Sequence, residues 1–290
     1  RGGHFDKTLF FGLQGFIKEY LTKPVTAEDI ELAAEIYSLH GEPFYREGWE
    51  YILNKHGGYL PLVIRAVSEG MVIPTGNVLA SVDRTDPNCY WLTTWLETSV
   101  LRAIWYPTTV ATVSWSIKQI ILSYLEKTGD PSLIDFKLHD FGARGASSLE
   151  TAAIGGAAHL VNFKGTDTVS GLLYAREFYS KNKEVFGFSV PAMEHSTVTA
   201  WGRNNEVKAY ENMLNNYGKP GKIFAAVSDS YDIYHACEYL WGTELRQKVI
   251  DSGATLVVRP DSGDPVTVCS KVVQLLASRF GFHYNHKGYK

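Results

Sequence analysis

The stretch 222–265 constrains the fold of this chain more than any other. Two short apolar runs, Ile223–Val227 and 254–258, each end abruptly in charged and hydroxyl residues. The first stops at Ser228-Asp229-Ser230-Tyr231-Asp232, the second at Arg259-Pro260-Asp261-Ser262-Gly263-Asp264. Between them Ile233, Ala236, Cys237, Leu240 and Trp241 recur at helical spacing. Strand, crossover helix and strand make a parallel βαβ unit, with both strands expected to be buried on two faces. Ligands of such folds bind beyond the carboxyl ends of the strands. Asp232 also suits a helix N-cap. Capping does not call for Arg259 and Asp261 side by side at a strand end, so the pair marks a site.

The same rhythm runs back to about residue 133. Strands are expected at 136–140, 160–163, 186–190, Ile223–Val227 and 254–258. Helices are expected at 149–158, 171–179, 199–217, 233–241 and 266–280. Five βα units suit a barrel or an open doubly wound sheet. A closed barrel needs more strands, so the expected fold is α/β, an irregular barrel incomplete in this chain, over 133–290. Residues 1–132 read as an α+β domain. There a helix is expected at 8–20. Thr26 caps a second helix, with Glu28 and Asp29 in its first turn, and Gly41 stops it. A third helix is centred on 49–53. Strands follow at 60–67 and 72–82, the latter kinked at 74–77. Helices over 88–105 and 108–127 are expected to part at Pro107.

Other features narrow the function classes. Lys and Arg number 28 against 31 Asp and Glu, without a long basic run, which excludes nucleic acid as the principal partner. No run approaches the length of a membrane span, and the N-terminal stretch lacks a signal-peptide cleavage site. The 3 cysteines, Cys89, Cys237 and Cys269, are scattered in apolar contexts and read as reduced core thiols of a cytoplasmic protein. No phosphate loop of the GxxxxGK[ST] kind and no GxGxxG between strand and helix is present. Gly155-Gly156 falls inside a helical pattern and reads as close packing. His283 and His286 have a metal-like spacing in a polar tail and read as surface.

The strand ends carry the chemistry. KLHDFGARG places His139, Asp140, Phe141 and Arg144 after the first strand. NFKGTDT places Lys164, Thr166 and Asp167 after the second, and SVPAMEHS places Glu194 and His195 after the third. Cations and carboxylates together suit a phosphorylated sugar with Mg²⁺, and an aromatic face suits a flat ring. Glu194-His195 has no Ser or Cys nucleophile motif beside it, which argues against a hydrolase.

With TDPNCYWLT (85–93), LVNFKGTDTVSG (160–171), SVPAMEHSTVTAWG (189–202), VSDSYDIYHACE (227–238) and VVRPDSGDP (257–265), these blocks resemble the nicotinamide phosphoribosyltransferases, a type II phosphoribosyltransferase family. The resemblance runs from about Thr8 to Lys290. It implies an α+β domain beside an irregular α/β barrel. It also implies a dimer with sites at the interface, and Mg²⁺ and ATP as cofactors. The implied reaction joins nicotinamide to phosphoribosyl pyrophosphate, giving nicotinamide mononucleotide and pyrophosphate in NAD salvage. ATP hydrolysis is coupled to turnover through a phosphorylated histidine.

By motif, Phe141 would stack on the pyridine ring and Arg144 would face phosphate. Asp167 would accept from the carboxamide NH₂, with Ser228 and Arg259 on its oxygen. His195 would be the phosphorylated histidine, and Asp232 and Asp261 would lie beside the ribose and its Mg²⁺. Two departures stand out. The family's N-terminal strand, with its ring-covering tyrosine, and its C-terminal barrel strands are expected to be missing from this chain. Ala143 is small where an aromatic is common. Nicotinate phosphoribosyltransferase is the alternative enzyme, and a non-catalytic fragment binding nucleotide or a partner is the alternative of another class.

Overall fold

The structure, a computed structural model, describes residues 4–290; residues 1–3 of the domain expected over 1–132 lie outside them. Its contacts divide the chain into two compact units, Arg1–Phe188 and Ser189–Lys290. Among the described residues no helix is long and apolar enough to cross a membrane.

The first unit opens with β1 (Lys7–Leu9) and α1 (Leu13–Phe16), which continues as a π-helical run Ile17–Leu21. The single helix expected over 8–20 therefore begins only at Leu13, after a short strand. The Leu9 and Phe11 N–H groups donate to the buried hydroxyls of Thr112 and Thr108, at 2.9 and 3.2 Å, and this tertiary pairing overrides the local pattern. Next come α2 (Ala27–His40) and α3 (Arg46–His56). Thr26 caps α2 in a reciprocal box with Asp29, and Gly41 ends it at φ 89°, a backbone angle that favours glycine. β2 (Leu62–Ala66), β3 (Val72–Pro74) and β4 (Ala80–Arg84) follow. The expected strand 72–82 splits at its kink, for β3 pairs antiparallel with β1 and β4 with β2.

The long helix α4 (Leu92–Thr128) runs straight through Pro107, against the expected break. Proline removes one ladder bond and crowds the preceding turn. Here Pro107 is buried, and Gly12 packs on that turn so closely that a Cβ there would stand 2.3 Å from Pro107 Cγ and 3.0 Å from the Ala103 carbonyl oxygen. This close tertiary packing holds the helix on its course.

Then β5 (His139–Asp140), α5 (Leu149–His159), β6 (Gly165–Thr166) and α6 (Val169–Phe178) complete this unit. β5 and β6 are parallel, and Phe188 adds a bridge beside Gly165. The strand expected at 160–163 is instead the turn after α5, where the Phe163 N–H donates to the His159 carbonyl at 3.1 Å. Its apolar residues are spent on packing, with Phe163 only 1% exposed. Gly155 and Gly156 are packing glycines as expected, and a Cβ on Gly156 would meet Gly171 Cα at 3.0 Å where α5 crosses α6.

In the second unit α7 (His195–Thr199) and α8 (Glu206–Tyr217) replace the one helix expected over 199–217, with Gly202 at φ 77° between them. β7 (Ile223–Val227) leads to α9 (Ile233–His235), whose run continues in π form over Ala236–Glu244. α10 (Arg246–Ser252), β8 (Thr255–Arg259) and α11 (Pro265–Phe280) follow. β7 and β8 are parallel through five registered pairs ending at Val227 and Arg259. Phe224, Ala226 and Val227 are buried with Tyr210 and Trp241, but β8 is not covered on both faces, since Val257 is 42% exposed. Ala192 bridges to Ala225 on the other side of β7. All three cysteines are free; Cys89 and Cys237 are core thiols, whereas Cys269 is exposed on α11. His283 and His286 are exposed, as expected.

Candidate active site

In the first unit the β5–β6 register aligns His139 with Gly165 and Asp140 with Thr166. Phe141 and Asp167 therefore leave the pair at the same carboxyl end, where the Asp167 N–H donates to the Asp140 carbonyl at 2.9 Å. The Asp140 carboxylate accepts from the Gly142 N–H at 2.7 Å and turns the chain into Gly142–Gly145, which carries an exposed Arg144. Phe141 is 47% exposed, with the His139 ring 4.5 Å from its own. His139 Nε2 lies 3.0 Å from Asp167 Oδ1. The N-cap of α6 is Thr168 rather than Asp167. His139 was legible only as a polar strand end. Its pairing with Asp167 arises from strand register.

One buried group supports this end. His159, 6% exposed, donates from Nε2 to the Gly165 carbonyl at 2.9 Å and stacks on Phe163. Burial pushes its imidazole below the ordinary value of 6.5, outweighing the Gly165 carbonyl and Asp140, which raise it. The folded chain thus binds this proton less readily than the unfolded chain. Stability owed to His159 should be complete above the unfolded value and fall as the pH drops below it, by at most ~1.4 kcal/mol per pH unit. Urea midpoints at pH 7.5 and 5.5 measure the slope, and His159→Gln, which keeps a donor, should flatten it. An equal slope in the folded variant would assign the acid sensitivity elsewhere.

In the second unit three strand ends meet. Residues 191–193 run beside β7, with the Ala225 N–H donating to the Pro191 carbonyl at 2.8 Å and the Met193 N–H to the Ala225 carbonyl at 3.0 Å. This leads directly into His195 at the start of α7. His195 Nε2 lies 3.0 Å from Asp229 Oδ1, whose side chain is only 4% exposed while that of His195 is 42% exposed. Asp229 Oδ2 accepts from the Asp261 N–H at 3.0 Å and from Ser262 Oγ at 2.6 Å, tying the end of β7 to the loop after β8. Burial pushes the Asp229 carboxyl up, but the bonds from Ser262, Asp261 and His195 together hold it below the ordinary carboxylate value. Asp261 Oδ2 stands 3.9 Å from His195 Nδ1 and 4.0 Å from Arg259 Nη2.

Two expected site residues have structural partners as well. Asp232 accepts at Oδ1 from the Tyr234 and His235 N–H groups and so caps α9. Ser228 is fully buried; its hydroxyl donates to the Ala226 carbonyl at 3.0 Å and accepts from Trp241 Nε1 at 3.1 Å. Asp229 was missed among the site residues. In sequence it is one of two carboxylates in SDSYD, and nothing local separates the buried one.

The likeness to a solved structure agrees with this architecture. The crystal structure of human nicotinic acid phosphoribosyltransferase superposes with a TM-score of 0.61 at 17% identity, covering 95% of this chain and 58% of that one. The fold is accordingly the mixed α/β fold of a type II phosphoribosyltransferase; among the described residues the strands form two-stranded pairs and no closed barrel. Residues 136–290 match the model of the nicotinate phosphoribosyltransferase (NAPRTase) family, and 1–64 match the nicotinamide phosphoribosyltransferase N-terminal domain. The chain belongs to the nicotinate phosphoribosyltransferase family. Among curated relatives, the nicotinamide phosphoribosyltransferase of Xanthomonas campestris pv. campestris is 56% identical over 100% of this chain and 62% of its own length. That of Acinetobacter baylyi is 33% identical over 98% of this chain and 61% of its own. The chain thus spans about three fifths of the length of these relatives.

Proposed function

We propose that the protein containing this chain condenses nicotinamide with phosphoribosyl pyrophosphate, giving nicotinamide mononucleotide and pyrophosphate in cytoplasmic NAD salvage. The observation that carries the reading is Asp167, an acceptor-only carboxylate held by His139 at the same strand end as the half-exposed Phe141 ring. A carboxamide brings two N–H donors to such a group, whereas a carboxylate brings charge repulsion. Phe141 stacks on the pyridine, and Arg144 takes phosphate oxygens. In the second unit Arg259 supplies a cation at the end of β8 beside Asp261, and Ser228 keeps its hydroxyl bonded internally.

Asp232 and Asp261 face the ribose, where positive charge builds at the anomeric carbon as the leaving group departs. Fixed carboxylates stabilise that charge without reorganisation. The donor set at the ends of β7 and β8 suits Mg²⁺, which takes one or two carboxylates together with substrate phosphates. Asp261 has the half-exposed carboxylate for this role. When bound, the ion supplies positive charge beside the pyrophosphate. His195, accessible and backed by a buried carboxylate, accepts the ATP phosphoryl group. Exposed Trp105, Ile120 and Tyr124 on α4 support a homodimer, with the active sites at its interface.

The test is direct synthesis by the full-length protein with Mg²⁺, nicotinamide and phosphoribosyl pyrophosphate. Nicotinamide mononucleotide should form faster with ATP. Turnover of nicotinate alone would replace this reading with the carboxylate substrate, and no product from either would leave a binding protein.

A further inference from the structure

Three ligand-type side chains converge in the first unit at a place the proposed reaction does not use. Asp86 is the N-cap of a 3₁₀ turn, Pro87–Cys89, with proline in its first turn. A 3₁₀ helix has three residues per turn, so side chains at i and i+3 share one face. Asp86 and Cys89 stand in that relation. His56 comes from the last turn of α3 and brings its Nε2 within 2.8 Å of Asp86 Oδ2. The imidazole nitrogen, carboxylate oxygen and Cys89 Sγ all lie within 4.8 Å of one another, and no other such group of three occurs among the described residues.

A His–Asp pair alone would pass for an ordinary surface ion contact. Two observations set this one apart. The third member is a sulfur, fully buried and reached from the opposite end of the turn. The carboxylate is also aimed from outside: the Asn88 N–H donates to Oδ1 at 2.9 Å, and Tyr51 OH donates to Oδ2 at 3.0 Å. Tyr51 OH in turn accepts from Asn88 Nδ2 at 3.0 Å. Ligating side chains in metal sites are oriented by such outer partners.

We propose that His56, Asp86 and Cys89 bind a borderline-soft divalent cation of the Zn²⁺ class. One nitrogen, one oxygen and one sulfur are a donor set for Zn²⁺, while Mg²⁺ and Ca²⁺ take oxygen. Bond lengths of about 2.0–2.3 Å let one ion reach all three after small side-chain rotations. On binding, the metal–sulfur bond forms as the Cys89 S–H bond breaks; the electron pair stays on sulfur and the proton leaves to water. His56 coordinates through Nε2 as the neutral tautomer protonated on Nδ1. Thiolate and carboxylate then offset both charges of the ion, so a neutral assembly occupies a place where net charge is costly.

The test uses untagged full-length protein with Co²⁺ alone and Zn²⁺ alone. One Co²⁺ per chain should bind with a thiolate charge-transfer band in the near ultraviolet, and one equivalent of Zn²⁺ should remove the band. Cys89→Ser should abolish the band. His56→Gln should weaken Zn²⁺ binding at least tenfold, with the melting temperature of the metal-free protein unchanged. Cys89 lies in the core, so its variant can fail to fold; His56 has 26% of its side chain exposed and decides the matter in that case. Absence of the band in the unmodified protein, or equal Zn²⁺ affinity in folded His56→Gln, would overturn the site.

Discussion

Replacing Asp229 by Asn is expected to remove the ATP-dependent gain in nucleotide synthesis almost as fully as His195→Ala, while some ATP-independent synthesis persists in both. With Asp229 ionised, His195 Nε2 must donate to it across 3.0 Å, which leaves the Nδ1 lone pair as the atom that would accept the phosphoryl group under the proposed function. An Asn amide can donate to Nε2 instead, moving the ring proton to Nδ1 and blocking it. Where a histidine's orienting aspartate has been changed to Asn in this way, rates fall by about 10⁴, so about 10²–10⁴ is expected here. The proposed glycosyl transfer should escape, because a pyridine nitrogen is already nucleophilic and needs no general base.

Asp229 also joins β7 to the loop after β8, so the variant should lose stability, about 1–3 kcal/mol for a buried hydrogen-bonded carboxylate. Ser262→Ala separates the two roles, because it removes one bond to Asp229 and keeps the imidazole partner. It should retain most of the ATP effect. Mass spectrometry of the phosphorylated peptide and rates with and without ATP provide the readout. A folded Asp229→Asn protein with the full ATP gain would sink the pairing. The depressed carboxyl carries a pH signature too. Stability owed to it is present above the unfolded value near 3.8 and is lost as the pH falls through the lower folded value.

The second large effect concerns substrate choice. Asp167→Asn keeps the side-chain shape and an acceptor for His139 but removes the charge. A charge-assisted hydrogen bond contributes about 1.5–3 kcal/mol, so kcat/KM for nicotinamide should fall roughly ten- to a hundredfold. Nicotinate should gain, because its carboxylate no longer meets another in a partly desolvated place. A purely structural role as a helix cap predicts no change in either, and the N-cap of α6 is Thr168. The measurement is kcat/KM for both substrates in the full-length enzyme. An unchanged ratio would falsify the selectivity role of Asp167.

The chain itself determined those features whose causes lie within a few residues. Thr26, Asp29 and Gly41 bound α2 because capping is a local exchange of hydrogen bonds. The apolar run Ile223–Val227 became β7, and the run near 254–258 became β8 one residue later, because a short apolar run bounded by polar residues is a local strand signal. Their polar ends marked the two clusters for the same reason. Tertiary structure decided the rest. It kept α4 continuous through Pro107, since the packing that tolerates proline comes from Gly12, far away in sequence. It turned 160–163 into packing rather than strand. It also chose Asp229 over its neighbours in SDSYD as the partner of His195, leaving Asp232 to cap α9. The two carboxylates look alike along the chain. Only the parallel register of β7 with its neighbouring strands buries one of them against an imidazole 34 residues away.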